Sequence, residues 1–367
     1  MSCLTFSETV EIKIRKHQAF WNMEKVDVPV VGLFLGGWTF FKDNHGGDNI
    51  WDYDEVLPEY LKPGNFIEDY ERLFESEADL GDDLIRAAQP FPSIPWMEAI
   101  VGCSVKCSRP NVWSEPITND VAGLPEIKFN PQNPWVLKYI EFLEVFGRYF
   151  KNKHPVSASI LRGPSDILAA MIGDSTAVYS YIDRPEKTKE ILSQITNVWC
   201  EFIRYQWQYA IKYCNGYAIP QNEIWVSQLP LRMQEDASAL VSPDIYEQFL
   251  LKCDEQIFSL TDCSLMHLHT TSLFLLDYFL KNRSIGVIQI SRDDGYENIG
   301  ELLPYLKAVQ SAKKRLILRG VFTTDELILI RQHISPIGFC IHTVVSTKQQ
   351  GLENLKILKE KSWKVES

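Results

Sequence analysis

Four short apolar runs close this chain, at residues 263–267, 286–290, 315–318 and 337–342, and helical stretches at 272–280, 298–310 and 324–333 separate them. This alternation constrains the fold more than any other feature of the sequence. Strands joined through a helix lie parallel, because a tight turn can only fold a chain back antiparallel. A parallel sheet needs helices over its strands, and the intervening stretches supply them. Two architectures satisfy that demand, a closed barrel and an open doubly wound sheet. Neither a GxGxxG fingerprint nor a P-loop occurs, which weakens the nucleotide-binding open sheet.

A chain of 367 residues suits one barrel with an N-terminal extension, and 45% hydrophobic with 23% charged residues is the balance of a globular protein. The net charge is −11, and the 37 Lys and Arg are scattered without a basic run, so nucleic acid is not expected as a partner. Eight cysteines include no CxxC pair. No apolar stretch reaches the roughly 18 residues of a membrane span, and none near the start resembles a signal peptide. The expectation is a cytoplasmic protein with free thiols and no membrane partner.

Earlier parts of the chain are less regular. Residues 1–25 read as helix and 28–34 as a buried strand ended by Gly36-Gly37. Residues 38–64 are rich in aromatics and acids, among them Trp38, Trp51 and Asp52. So long a loop is either a lid over the mouth, with Trp38 against substrate, or a surface flap held by its aromatics. A helix is predicted at 65–78 and irregular, proline-rich structure at 89–135. Another helix spans 135–150, a strand 156–161, and helices follow at 167–172 and 185–213. Ser242-Pro243 has the pattern of a capped helix start, continued over 245–258.

Several of these stretches resemble the uroporphyrinogen decarboxylase superfamily. Arg162-Gly163-Pro164-Ser165-Asp166-Ile167 through Gly173 is similar to its GPFTLAAxLxG turn and helix. Asp183-Arg184-Pro185-Glu186 resembles its PExVxELL stretch. The segment from Asp236 through Ser242-Pro243 to Phe249 is similar to DxxxxxSPexFxeF, and His267-Leu268-His269 sits where the family has HxCG or HxDG. The resemblance covers roughly 155–355 of a single 1–367 domain, and 1–150 diverges. It implies a (β/α)8 TIM-like barrel with its site at the C-terminal strand ends, preceded here by an irregular N-terminal extension. Two activities are implied: decarboxylation of porphyrinogens, and methyl transfer between corrinoids and thiols using zinc. The decarboxylase's arginine-rich RQAGRY element has no counterpart, since Arg15-Lys16 is followed by His17-Gln18-Ala19-Phe20. A substrate with eight carboxylates needs several such cations, so true uroporphyrinogen decarboxylation is not expected.

His267 and His269 are the first candidates for chemistry, because residues two apart on a strand point to one side and imidazole suits zinc. The resemblance implies a His-x-Cys with a later cysteine. Here the second position is His269, and Cys340 and His342 are the candidates for a third ligand. Two histidines hydrogen-bonded in a polar pocket remain the metal-free alternative. Glu235 and Asp236, at a predicted strand end, are candidates for general base or for orienting an imidazole, with loop capping as the alternative. Gln289 and Arg292 lie at or just past one strand end, as candidates for substrate binding, and Arg319 follows the next strand; a catalytic clamp on a carboxylate or phosphate is one role for Arg319, and a rim salt bridge with Asp293 or Asp294 is the other. Asp166 reads as a residue of a helix first turn. Three functions stay open: methyl transfer between a corrinoid on a partner protein and a small thiol at zinc, a cofactor-independent decarboxylase or lyase on a small carboxylated substrate, and a ligand-binding barrel without catalysis.

Overall fold

The computed structural model describes residues 6–37, 44–293 and 298–363. After an N-terminal helix, Phe6–Asn22, comes β1, Val30–Leu35. Two hairpins follow along the chain, β2 (Ser104–Ser108) with β3 (Asn111–Glu115), and β4 (Tyr217–Ala218) with β5 (Trp225–Val226). Then come β6 (Leu231–Gln234), β7 (Ser264–His269), β8 (Val287–Ser291), β9 (Arg315–Gly320) and β10 (Phe339–Val345). The central sheet has the order β1-β10-β9-β8-β7-β6, and all its pairs are parallel. Helices Ile299–Ser311 and Thr324–His333 separate β8, β9 and β10, as the alternation predicts.

Both edges of this sheet continue into stretches too irregular to form full ladders. Asp83 N donates to Val31 O at 2.8 Å beside β1, and Arg162 bridges Gln234 in parallel beside β6. The two stretches meet where Ala88 bridges Val156, again parallel. The result is a mixed α/β protein whose sheet is compatible with a TIM-like barrel. Among the described residues no helix is long and apolar enough to cross a membrane.

Strand register sorts the residues onto two faces. Leu33, Met266, Leu268, Ile288, Ile290, Leu316, Leu318 and Ile341 pack outward against the helices in the main core. The other face carries two rows running across the strands. Gln234, His267, Gln289, Ile317, Cys340 and Val30 form one; His269, Ser291, Arg319, His342 and Gly32 form the next, nearer the C-terminal ends. Gly32 is glycine for space: a Cβ there would lie 2.6 Å from Leu84 Cδ1 and 2.8 Å from His342 Cδ2.

The hairpin of β4 and β5 fills the space towards the N-terminal ends. Ile219, Ile224 and Val226 pack with Val30, Leu265, Val287, Ile317 and Cys340. Arg86 is buried beside it and serves three carboxylates. It contacts Glu77, lies 2.8 Å from Asp82 and 2.9 Å from Glu223, and donates to Leu33 O at 2.8 Å.

The N-terminal helix is held to this hairpin by His17, whose Nδ1 accepts from Trp225 N at 2.9 Å. Burial pushes the ring's pKa from 6.5 down to about 4. Below pH 6.5 the unfolded chain takes a proton that the fold refuses until about pH 4. The stability linked to His17 is therefore full above the unfolded value and is lost as pH falls towards 4. We expect this ring to remove up to about 3 kcal/mol between pH 7 and 4. Urea titrations at pH 7, 5.5 and 4 check this: His17→Gln should flatten the profile, and an equally steep profile in the variant would refute the assignment.

Several sequence expectations need correction. The helix predicted at 185–213 is Pro185–Trp207, because the turn into the hairpin begins earlier. The proline-rich 89–135 segment is not wholly irregular, as it holds the β2–β3 hairpin. The 156–161 run makes isolated bridges at its edges rather than a ladder. Of the proposed lid, residues 38–43, with Trp38, lie outside the described residues. Its later part packs along β2, with Val56 N donating to Val105 O at 2.7 Å, and Trp51 packs against the main core.

Candidate metal centre

β7 ends in His267-Leu268-His269, and strand alternation brings both imidazoles to one side, at the C-terminal end of the sheet. Their Nε2 atoms face each other at 3.2 Å. Each Nδ1 is held from behind. His267 Nδ1 lies 3.0 Å from Gln289 Oε1, and His269 Nδ1 lies 2.5 Å from Asp293 Oδ1. Thr270 Oγ1 donates to the other Asp293 oxygen at 2.8 Å. A carboxylate and an amide oxygen only accept, so each Nδ1 carries the proton and each Nε2 presents a lone pair. Two lone pairs at this distance repel unless a cation or a proton lies between them.

A third donor completes the group. Asp236 follows β6, the neighbour of β7, and its Oδ1 lies 3.8 Å from His269 Nε2. Its other oxygen accepts from Gln234 Nε2 at 2.6 Å, and Gln234 in turn accepts from Arg232 at 2.9 Å. Ligand atoms of Asp236, His267 and His269 all lie within 4.8 Å of one another. Burial, with the charge of Arg232 behind it, holds His267 well below the usual histidine range, so its ring is neutral and able to ligate. Two imidazoles and a carboxylate, with the imidazoles oriented by hydrogen bonds from outside, suit a divalent transition ion.

The histidines open on a cavity of about 480 Å³. Its walls include residues 92–96, the β2–β3 turn at Pro110-Asn111-Val112, Gln221 at the tip of the inner hairpin, and Arg162, Arg232, Arg292 and Arg319. Arg162 pairs with Glu98 at 3.1 Å and Arg292 with Glu326 at 2.8 Å. Arg232 differs. It is 2% exposed, its Nε has no hydrogen-bond partner, and it forms no ion pair among the described residues. Burial lowers its pKa to about 10. Arg319 is also buried, and burial together with Arg232 holds its guanidinium well below the usual range. The cavity floor thus carries two desolvated cations.

The other candidate residues fall into distinct places. Gln289 stands behind His267 and is not among the residues lining the cavity. Arg319 lines it, and Arg292 lines it while paired with Glu326; Asp294 lies outside the described residues. Glu235 turns into the core, where its carboxylate accepts from Ser165 N at 2.9 Å and from the Ser165 hydroxyl. That placement removes it from the mouth as a general base. Cys340 and His342 share the inner face with the histidines but do not join the donor group. Cys340 is packed among Val30, Ile317 and Val226, and burial keeps its thiol far above the ordinary range, hence protonated. His342 stacks edge-on to Phe34 at 5.4 Å, and neither ring nitrogen has a hydrogen-bond partner among the described residues. Asp236 is the residue that groups with the two histidines. Sequence reasoning passed over Arg232 and Gln234, although their spacing on β6 places them on one face with Asp236 just beyond.

No protein-family model matches this chain, and no curated protein sequence matches it. Among solved structures, a methyltransferase from Methanosarcina mazei superposes with a TM-score of 0.62 over 95% of this chain and 98% of that one, at 15% sequence identity. What that likeness establishes is a shared fold, extending through the divergent first 150 residues as well as the part that carries the motifs.

Proposed function

We propose that the chain is a methyltransferase-like enzyme on a closed (β/α)8 barrel, with a divalent metal, zinc in the first instance, held by Asp236, His267 and His269. The observation that carries this reading is the pair of Nε2 lone pairs facing each other at 3.2 Å, each ring fixed by an acceptor on its far nitrogen. The likeness to a methyltransferase supports the choice of reaction. A bound ion would lower the pKa of a substrate thiol and so supply a thiolate at neutral pH. The methyl donor in this reading is a corrinoid carried by a partner protein, and the acceptor is a small thiol. In such a transfer the acceptor sulfur would give its proton to solvent and bond to the methyl carbon, while the bond between methyl and donor would break with its electron pair remaining on the donor. Asp293 and Gln289 keep the imidazoles in the ligating tautomer. Arg232 and Arg319 supply positive charge to the cavity floor, and residues 92–96 with the β2–β3 turn shield the reacting atoms from water.

A second reading, a lyase or decarboxylase acting on a small carboxylated substrate, is favoured by Arg232 alone, since a buried guanidinium with an unpartnered Nε suits an anion. Elemental analysis separates the two. Protein prepared without a histidine tag, stripped and incubated with zinc, should retain about one equivalent after desalting. Wild-type protein that stays metal-free would end the methyltransferase reading and leave the lyase.

A further inference from the structure

The helix Pro164–Ile172 begins directly beside the turn that presents Asp236. Gly163 N donates to Gln234 O at 2.7 Å, which fixes the start of that helix to the end of β6. The next residues then grip the turn from both sides. Ser165 donates its amide and hydroxyl to the Glu235 carboxylate. Asp166 accepts from Asp236 N at 3.2 Å and from Ala237 N at 2.6 Å. A Cβ on Gly163 would lie 2.3 Å from Glu235 Oε1 and 2.9 Å from Gln234 O, so only glycine allows this approach.

We infer that Asp166 and Ser165 are positioning residues for the metal centre, holding the Glu235-Asp236 backbone so that Asp236 reaches His267 and His269. This rests on the metal reading above. Asp236 is half-exposed, and among the described residues its side chain makes one hydrogen bond, to Gln234, and approaches His269. A side chain so lightly tethered depends on its backbone for direction. That backbone has its two amide hydrogens fixed by one buried carboxylate on another element, and the preceding side chain fixed by the neighbouring residue of that element. The outward turn of Asp236 and the inward turn of Glu235 are thus one arrangement, set by Ser165-Asp166.

The test is cobalt(II) binding to metal-free full-length protein, followed by visible absorption, with circular dichroism to monitor the fold. Wild type should bind with a d–d spectrum of a defined site. Asp166→Ala should bind about 10- to 100-fold more weakly, as outer-shell changes do, with a shifted spectrum. Asp166→Asn keeps an acceptor for one amide and should recover part of both. A folded Asp166→Ala protein with wild-type affinity and spectrum overturns the inference and leaves the metal reading standing. Wild-type protein that binds no cobalt overturns the metal reading, and this inference with it. If Asp166→Ala does not fold, Ser165→Ala decides: a wild-type spectrum there overturns the inference, and a shifted spectrum with weaker binding supports it.

Discussion

Exchange of His267 for alanine should abolish stoichiometric metal binding while leaving a folded protein. In the proposed centre the ring is one of three donors and the most buried of them, at 4% exposure. Losing a ligand should cost more than the 10- to 100-fold typical of outer-shell partners, so the expected drop in zinc or cobalt affinity exceeds about 100-fold. The structural cost is one buried hydrogen bond, to Gln289, or about 1–3 kcal/mol. Competition titration with a chromophoric chelator, alongside a thermal melt, measures both quantities. His269→Ala should behave alike, since its Nε2 faces the same point. Near-wild-type affinity in both variants would show that these imidazoles are no ligands.

The largest effect on stability is expected at Arg86. One guanidinium stands among Glu77, Asp82 and Glu223, all buried. Its replacement by leucine takes the guanidinium from Glu77 and Glu223 and leaves Asp82 with Lys13 at 3.7 Å, and breaking a buried pair from one side typically costs about 3–5 kcal/mol. The melting temperature should fall on the order of 10 °C. Burial already pushes Glu223 up to about 8, with Glu77 and Asp82 adding to it and Arg86 opposing. A carboxyl with a raised folded-state pKa contributes its stability at low pH and loses it as pH rises through that value. Without Arg86 the acids must protonate to remain buried, so the deficit of Arg86→Leu should grow from pH 5 to pH 8. Denaturant titrations of both proteins at the two pH values test it. A deficit that shrinks with rising pH would contradict the ion cluster.

The same cluster explains why part of the sheet was illegible in the sequence. The runs at 263–345 announce themselves because their outward face is mostly Leu, Ile and Met and helical stretches separate them. The stretch at 82–89 carries Asp82, Asp83 and Arg86, and a segment so charged reads as loop, although Asp83 and Ala88 bond as sheet edges. His267 and His269 were legible because alternation along one strand is a local rule. The third donor was not, because it depends on which strands are neighbours. Cys340 shares a row with His267, but β8 and β9 intervene, and three strand spacings of ~4.8 Å separate them along the sheet by up to about 14 Å. Asp236 follows β6, which adjoins β7 directly. It was named as a carboxylate at a strand end, and only the topology brings it to the imidazoles.

The inner hairpin of β4 and β5 has a consequence for traffic. Its Ile219, Ile224 and Val226 cork the chamber towards the N-terminal strand ends, while Gln221 at its tip forms part of the wall around the histidines. On the side away from the hairpin, residues 92–96 and the β2–β3 turn line the cavity. In the proposed reaction, both reactants would therefore have to approach the histidines from the side away from the hairpin, and a product still bound there would stand in the way of the next substrate.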